Sequence, residues 1–243
     1  MERLDDLQRA GLHLIQDPAL FCFGMDAVLL SYWANAYPGE KVLDLCTGNG
    51  VVMMLMSDRT KAESITGLEL NEKSADLAFR NVALNGLSGR LKVIRGDVRS
   101  HRELFAQDTF DAVTCNPPYM IAQHGLTGEN PDKTMARHEV SCTLRDVAAA
   151  AAWTLKQKGR LYLVHRPFRL AEIIRTLSEY HLEPKRMQLV YPTADKPANM
   201  LLLEAVKGGK SGMQVEEPLI VYEKDGTYTG QIHHIYGSED KRE

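Results

Sequence analysis

Between residue 41 and about residue 165, short apolar, β-branched runs alternate with longer stretches of helical periodicity. Residues 41–46, 64–69, 91–95, 110–115 and 160–164 are predicted as strands. Residues 50–59, 71–85, 144–156 and 168–180 are predicted as helices. Asn71 is of the N-cap type, and Gly86 and Gly159 stand where helices should stop. Such alternation implies βαβ units and a mostly parallel sheet. The pattern then changes. Residues 186–191 and 200–206 are strands with no helix between them, so a hairpin joins them and the last strand runs antiparallel. A further hairpin is predicted within residues 218–236, around Asp225-Gly226. The connection over 117–141 is long for its place and rich in Gly, Pro, Asn and His, as functional loops are. The expectation is one α/β domain over residues 1–243, with a seven-stranded doubly wound sheet whose last strand is antiparallel. Its parts are an N-terminal segment (1–40), a core (41–207) and a C-terminal extension (208–243).

Composition adds little to this. Hydrophobic residues make up 44% and charged residues 25%, ordinary for a globular protein with a large core. No apolar run approaches the length of a membrane span. The charged start, Met1-Glu2-Arg3-Leu4-Asp5-Asp6, is unlike a secretory leader, so a cytoplasmic protein is expected. The four cysteines form no CxxC pair, which gives a zinc site no support and suits free thiols in a reducing compartment. Cys46 and Cys115 end apolar runs and should pack as small hydrophobes. The net charge is −3, but residues 156–210 carry 11 Lys/Arg against 5 Asp/Glu. Two readings of that basic stretch stand side by side: a polyanion laid across one side, or lysines solvated on surface helices.

In open α/β sheets, ligands sit outside the carboxyl ends of the strands, and four features fall there. Asp44-Leu45-Cys46-Thr47-Gly48-Asn49-Gly50 closes the first strand; Gly48 and Gly50 let backbone turn tightly and approach a ligand. Glu69, with Leu70 beside it, ends the second, placed to accept from ribose hydroxyls. Asp97, followed by Val98, ends the third, and Asn116 the fourth. The glycine run is not G-x-G-x-x-G, and Asp44 within it would repel a pyrophosphate but attract an ammonium group. Here the chain resembles the class I S-adenosylmethionine methyltransferases, whose first motif is D-x-x-x-G-x-G, and that resemblance implies their Rossmann-like fold. It also implies that Asp44, Gly48 and Gly50 flank the methionine part of S-adenosylmethionine. Glu69 then takes the ribose hydroxyls, and Asp97 and the Val98 backbone meet the adenine.

Asn116-Pro117-Pro118-Tyr119 follows the fourth strand directly. An exocyclic amine on a planar ring is a poor nucleophile because its lone pair is delocalised. It is helped by two acceptors that hold both N–H bonds and draw the nitrogen towards tetrahedral geometry. The Asn116 side-chain oxygen can be one, and the Pro117 carbonyl, fixed by Pro118, the other. Tyr119 can stack on the base. The tetrapeptide matches the amino-methyltransferase motif in full. That motif is shared by enzymes of adenine N6, cytosine N4, guanine N2 and glutamine amide nitrogen, so it selects the chemistry rather than the substrate.

About forty residues precede the first core strand, too few for the helical domain that protein-glutamine methyltransferases carry there. Phe21-Cys-Phe-Gly-Met-Asp-Ala-Val-Leu-Leu30, Ala136-Arg-His-Glu139 and Pro197–Val206, together with the core motifs, resemble the bacterial tRNA1(Val) adenine N6-methyltransferase family over nearly the whole chain. This implies methylation of the adenine 3′ of the anticodon, with tRNA as partner and no metal. By the same resemblance Phe23 and Asp26 lie near the methionine end of the cofactor, although Phe23 serves equally as a core aromatic at a helix start. His138-Glu139 lacks the second histidine of H-E-x-x-H, position 142 being Cys. Arg137 is a phosphate contact or a helix cap. Lys156, Lys158, Arg160, Arg166, Arg169, Lys185 and Arg186 form a hypothetical backbone footprint, unless strand geometry puts them on the far side. The rival readings are methylation of guanine N2 in rRNA or of a protein glutamine, or a non-catalytic cofactor- or RNA-binding protein.

Overall fold

Neighbouring apolar residues along each core strand point to opposite faces, and this alternation divides the interior into two layers. Val42, Ala112, Tyr162 and Leu202 enter one layer. Leu43, Val113, Leu161, Leu163, Leu201 and Leu203 enter the other. The computed structural model describes residues 1–20, 22–117 and 142–237. Its strands are β1 (Arg3–Asp6), β2 (His13–Gln16), β3 (Lys41–Leu45), β4 (Ser64–Glu69), β5 (Leu91–Arg95), β6 (Phe110–Cys115), β7 (Leu155–His165), β8 (Leu182–Tyr191), β9 (Met200–Lys207), β10 (Gln214–Val215) and β11 (Leu219–Ile220). The helices are α1 (Met25–Trp33), α2 (Val51–Arg59), α3 (Glu72–Leu84), α4 (His101–Leu104), α5 (Leu144–Thr154), α6 (Leu170–Glu179) and α7 (Gly230–Tyr236).

Among the described residues, nine strands form the main sheet, in the order β10-β8-β9-β7-β6-β3-β4-β5, with β11 also on β8. β3 to β7 are parallel, whereas β9 is antiparallel to both β7 and β8. The seven long strands and the antiparallel β9 are those expected from sequence; β10 and β11 add two short strands at the β8 edge. Helices α1, α2, α3 and α7 cover one face, and α5 and α6 the other. This is a Rossmann-like α/β fold. Among the described residues no helix is long and apolar enough to cross a membrane.

Two local expectations change, and one segment gains a structure that was not predicted. The helix expected to reach residue 156 ends at Thr154, and β7 starts at once from Leu155. The polar run Lys156-Gln-Lys158 hides this strand start, which pairs Phe110 with Leu155 across a register shift. In place of a hairpin, residues 218–236 form β11 on β8, an antiparallel bridge of Tyr222 to Tyr228, and then α7, capped by the Thr229 hydroxyl. Here Asp225-Gly226 does turn the chain, with Gly226 at φ +86°. Finally, the N-terminal segment opens with the β1–β2 hairpin, whose charged outer face concealed its pairing.

That hairpin is docked by two asparagines one turn apart, Asn81 on α3 and Asn85 at its C-cap. Asn81 accepts from the Ile15 amide at 2.7 Å and donates to the Ile15 carbonyl at 3.1 Å, as a strand partner would. It also donates to the Asn49 carbonyl at 3.0 Å, inside the glycine turn. Asn85 repeats the pairing with His13, at 2.9 and 2.8 Å. The buried Gln16 side-chain oxygen then receives the Phe23 amide at 3.2 Å. The N-terminal segment is thus tied to the carboxyl edge of the sheet.

Candidate active site

After β3 the backbone turns through three left-handed residues, Cys46 (φ +57°), Gly48 (φ +58°) and Gly50 (φ +87°). The turn is held to β4 by Thr47 N donating to Leu68 O at 3.0 Å. A Cβ at Gly50 would lie 3.3 Å from the Ala78 Cβ, so glycine lets α2 start against α3. Gly67 was missed in the sequence: a Cβ there would stand 2.8 Å from Thr47 Cγ2, so it seats the turn on β4. A glycine inside an otherwise apolar strand was the available signal. In front of Gly48 a Cβ would meet no atom within 4 Å. The turn therefore borders open space.

Acidic residues stand at or just beyond the carboxyl ends of β3, β4 and β5. Asp44 is buried, and its two carboxylate oxygens receive the Thr47 hydroxyl at 2.5 Å and the Thr114 hydroxyl at 2.7 Å. Burial pushes its pKa up to about 6, against the two hydroxyls, and nearby Glu69 adds to the rise. Asp44 therefore joins β3 to the glycine turn and to β6, a role the sequence did not suggest. Glu69 accepts from the Gly48 amide and the Asn71 amide, each at 2.8 Å. Burial raises its pKa, and the amides of Asn71, Gly48 and Leu70 oppose the rise. Asp97 caps the short turn at Val98 by accepting from Arg99 N at 2.8 Å, and also pairs with the Arg99 guanidinium, which lowers its pKa. The Val98 side chain is core, and its carbonyl accepts from the buried His101 ring at 2.9 Å.

The buried charge on Asp44 has a measurable consequence. The folded protein keeps its proton to a higher pH than the unfolded chain, so ionisation costs stability. That cost is absent below the unfolded value of 3.8 and complete above about 6. Asp44→Asn removes it. The stability of the wild type relative to Asp44→Asn should fall by about 2 kcal/mol between pH 4 and pH 7. Denaturant titrations of both proteins check this; parallel pH profiles would contradict it.

Asn116 closes β6 beside the N-terminal segment. Its Nδ2 donates to Asp26 Oδ2 at 3.2 Å, and Asp26 Oδ1 accepts from the Ala27 amide at 2.9 Å in the first turn of α1. A carboxylate requires the NH₂ end of the amide, so Asp26 sets which way the Asn116 side chain presents its oxygen. Gly24 makes this possible: a Cβ there would lie 2.9 Å from Asp26 Oδ1. Phe23 packs against the apolar layer that contains α1. Tyr236 of α7 joins the same neighbourhood. Its pKa rises to about 12, first through burial, then through Tyr228, Tyr222 and the Asp26 carboxylate. Pro117 follows Asn116 at the sheet edge, while Pro118, Tyr119, Arg137 and the His138-Glu139 pair lie outside the described residues.

The cationic footprint needs correction. Lys156 pairs with Asp111 at 2.7 Å, and Arg160 pairs with Glu40 and covers the Tyr37 ring. Arg160 aligns with Ala112 near the start of β6, the opposite edge from Asn116. The Lys158 ammonium is taken by the Gly208 carbonyl. Lys185 donates to the carbonyls of Lys210 and Gly212 at 3.0 and 2.7 Å. Arg186 pairs with Glu204 and Glu216 and stacks 3.9 Å over the Trp33 ring. Lys185 and Arg186, expected to bind substrate, are thus engaged within the fold, because β10 and its flanking chain fold back onto β8. Arg166 and Arg169 follow β7 at the same edge as Asn116.

Comparison with known proteins points the same way as this geometry. A model of the methyltransferase small domain matches residues 12–183. A tRNA1(Val) (adenine(37)-N6)-methyltransferase of Aeromonas hydrophila is 28% identical over 218 residues, 89% of each chain. One from Bacteroides thetaiotaomicron is 31% identical over 182 residues, 74% of each chain. Among solved structures, a protein of Agrobacterium tumefaciens described as a predicted O-methyltransferase superposes with a TM-score of 0.73 and 24% identity. That match covers 88% of this chain and 96% of the other, and it speaks to the fold.

Proposed function

This chain belongs to the methyltransferase small domain family, and on that footing we propose that it methylates the N6 amine of an adenine in tRNA, at the position 3′ of the anticodon, using S-adenosylmethionine. The substrate reading draws on the names of the relatives, tRNA1(Val) (adenine(37)-N6)-methyltransferases that span most of their length with this chain. The observation that carries the chemistry is the Asn116 amide at the end of β6, turned by Asp26 so that its oxygen is the accepting end.

The residues around the glycine turn fit S-adenosylmethionine. Open space fronts Gly48, Glu69 offers carboxylate oxygens near it, and the acidic surroundings favour a cation. When bound, the cofactor supplies an electrophilic methyl group on a sulfonium. The protein contributes acceptors and alignment. Asn116 Oδ1 and the Pro117 carbonyl each hold one N–H of the adenine amine, which turns the nitrogen lone pair out of conjugation. Tyr119 stacks on the everted base, since the amine is hidden while the base remains paired. Glu69 holds ribose hydroxyls while its own orientation is kept by the Gly48 and Asn71 amides.

Asp26 is a positioning residue in this scheme. Asp26→Asn keeps its size but lets the Asn116 amide turn over. The expected result is a kcat about tenfold lower, with KM for tRNA and the melting temperature little changed. An unchanged kcat would remove Asp26 from the mechanism. The substrate class is tested by supplying methyl-labelled S-adenosylmethionine with unmodified tRNA, rRNA, or a protein carrying an accessible glutamine. Label should enter tRNA; label in rRNA or protein instead would refute the reading.

A further inference from the structure

The C-terminal extension carries three tyrosines that the chemistry above does not use. Tyr222 and Tyr228 stack with centroids 5.2 Å apart and planes 19° apart. Tyr228 and Tyr236 stack at 5.7 Å and 11°. The three rings therefore form one nearly parallel column. Its inner end, Tyr236, lies on α7, which packs beside α1 through the edge contact of His234 with Tyr32 at 6.0 Å. Asp26, the partner of Asn116, lies in the first turn of α1. Its outer end, Tyr222, is 36% exposed. The column thus leads from α7, packed on the C-terminal part of α1, out to solvent.

The column is held rigidly. Tyr222 and Tyr228 are bridged across the Asp225-Gly226 turn. The Thr229 amide donates to Val221 O at 3.0 Å, and the Thr229 hydroxyl to Ile220 O at 2.7 Å. Ile232 and Ile235 anchor α7 in the core. Topology puts the outer end at the catalytic edge. β11 is parallel to β8, with Ile220 beside Tyr191, so the chain reaches Tyr222 at the edge where β9 begins and β6 ends. A partly exposed ring, backed by two more and set at the edge of the sheet where β6 ends, suits a flat partner.

We propose that the Tyr222–Tyr228–Tyr236 column is a stacking ledge for an unpaired nucleotide near the methylated base, with the partly exposed Tyr222 as the landing residue. This rests on the tRNA reading above. Removing one base from a single-stranded loop takes a stacking partner from the next, and an aromatic ring can replace it. The turn that carries the ledge reads Glu223-Lys224-Asp225 and is net acidic. The contribution is therefore stacking without phosphate pairing, which sets it apart from a cationic footprint.

The test measures binding of an unmodified anticodon stem-loop RNA, by fluorescence anisotropy at several salt concentrations. Wild type is compared with Tyr222→Ala, Tyr222→Leu and Tyr222→Phe. Ala and Leu should each weaken binding about tenfold, with the slope against salt unchanged, and Phe should stay within about twofold of wild type. Affinity for S-adenosylmethionine and the melting temperature should not move in any variant. A Tyr222→Leu protein that binds as tightly as wild type, or a changed salt slope, would overturn the ledge. If the wild type neither binds nor methylates the stem-loop, the tRNA reading itself fails, and the ledge falls with it.

Discussion

Asn116→Ala is expected to lower turnover by about 10²-fold or more, as for loss of a hydrogen bond made chiefly in the transition state, while leaving S-adenosylmethionine affinity nearly intact. The two effects separate because Asn116 stands at the end of β6, whereas the acceptors and amides that suit the cofactor come from the turn after β3 and the end of β4. Single-turnover methylation and equilibrium cofactor binding, measured on the same protein, check the pair. The neighbour sharpens the expectation. Asp26 holds Asn116 Nδ2 at 3.2 Å, so Asn116→Asp would place two carboxylates in contact and should be no better than alanine. Unchanged turnover in Asn116→Ala would remove the residue from the chemistry.

Asn81→Leu should have the largest effect on stability. Asn81 is fully buried and satisfies the Ile15 amide, the Ile15 carbonyl and the Asn49 carbonyl at 2.7, 3.1 and 3.0 Å. Leucine nearly matches its volume but strands all three groups in the interior. Each unsatisfied buried group costs on the order of 1–3 kcal/mol, so a loss of about 3 kcal/mol or more is expected. In a chain of this size, that lowers the melting temperature by about 6–12 °C. Because Ile15 leads to Gln16 and the Phe23 amide, cofactor affinity should weaken as well. Calorimetry and cofactor titration give both values. A melting temperature within a degree of wild type would mean that the hairpin is held by other contacts.

The parallel core was legible because its strands are buried on both faces and so read as short apolar runs, and because Asn71, Gly86 and the glycine turn mark element ends. The strand-end residues Asp44, Glu69, Asp97 and Asn116 could be picked out by their place after those runs. What stayed hidden depends on pairing between distant segments. Nothing local to Arg3–Asp6 reveals a strand, since its partner is β2, which is itself held by Asn81 on α3 and Asn85 at its C-cap. The same holds for Arg186. As a basic residue in a basic stretch it suggested a phosphate contact, but Glu204, Glu216 and Trp33, far apart in sequence, neutralise and cover it. Net charge along a chain carries no information about which cations the fold consumes. Asp26 shows the converse: only contact across the fold joins it to Asn116.

The central claim, transfer of a methyl group to adenine N6 in tRNA, is most directly tested by mapping the product. Unmodified tRNA is incubated with the protein and isotopically labelled S-adenosylmethionine, then digested and examined by mass spectrometry as nucleosides and as nuclease fragments. Labelled N6-methyladenosine is expected in the fragment that holds the nucleotide 3′ of the anticodon, forming about 10²-fold or more slowly with Asn116→Ala. Label in N2-methylguanosine, or in any nucleoside other than N6-methyladenosine, would contradict it.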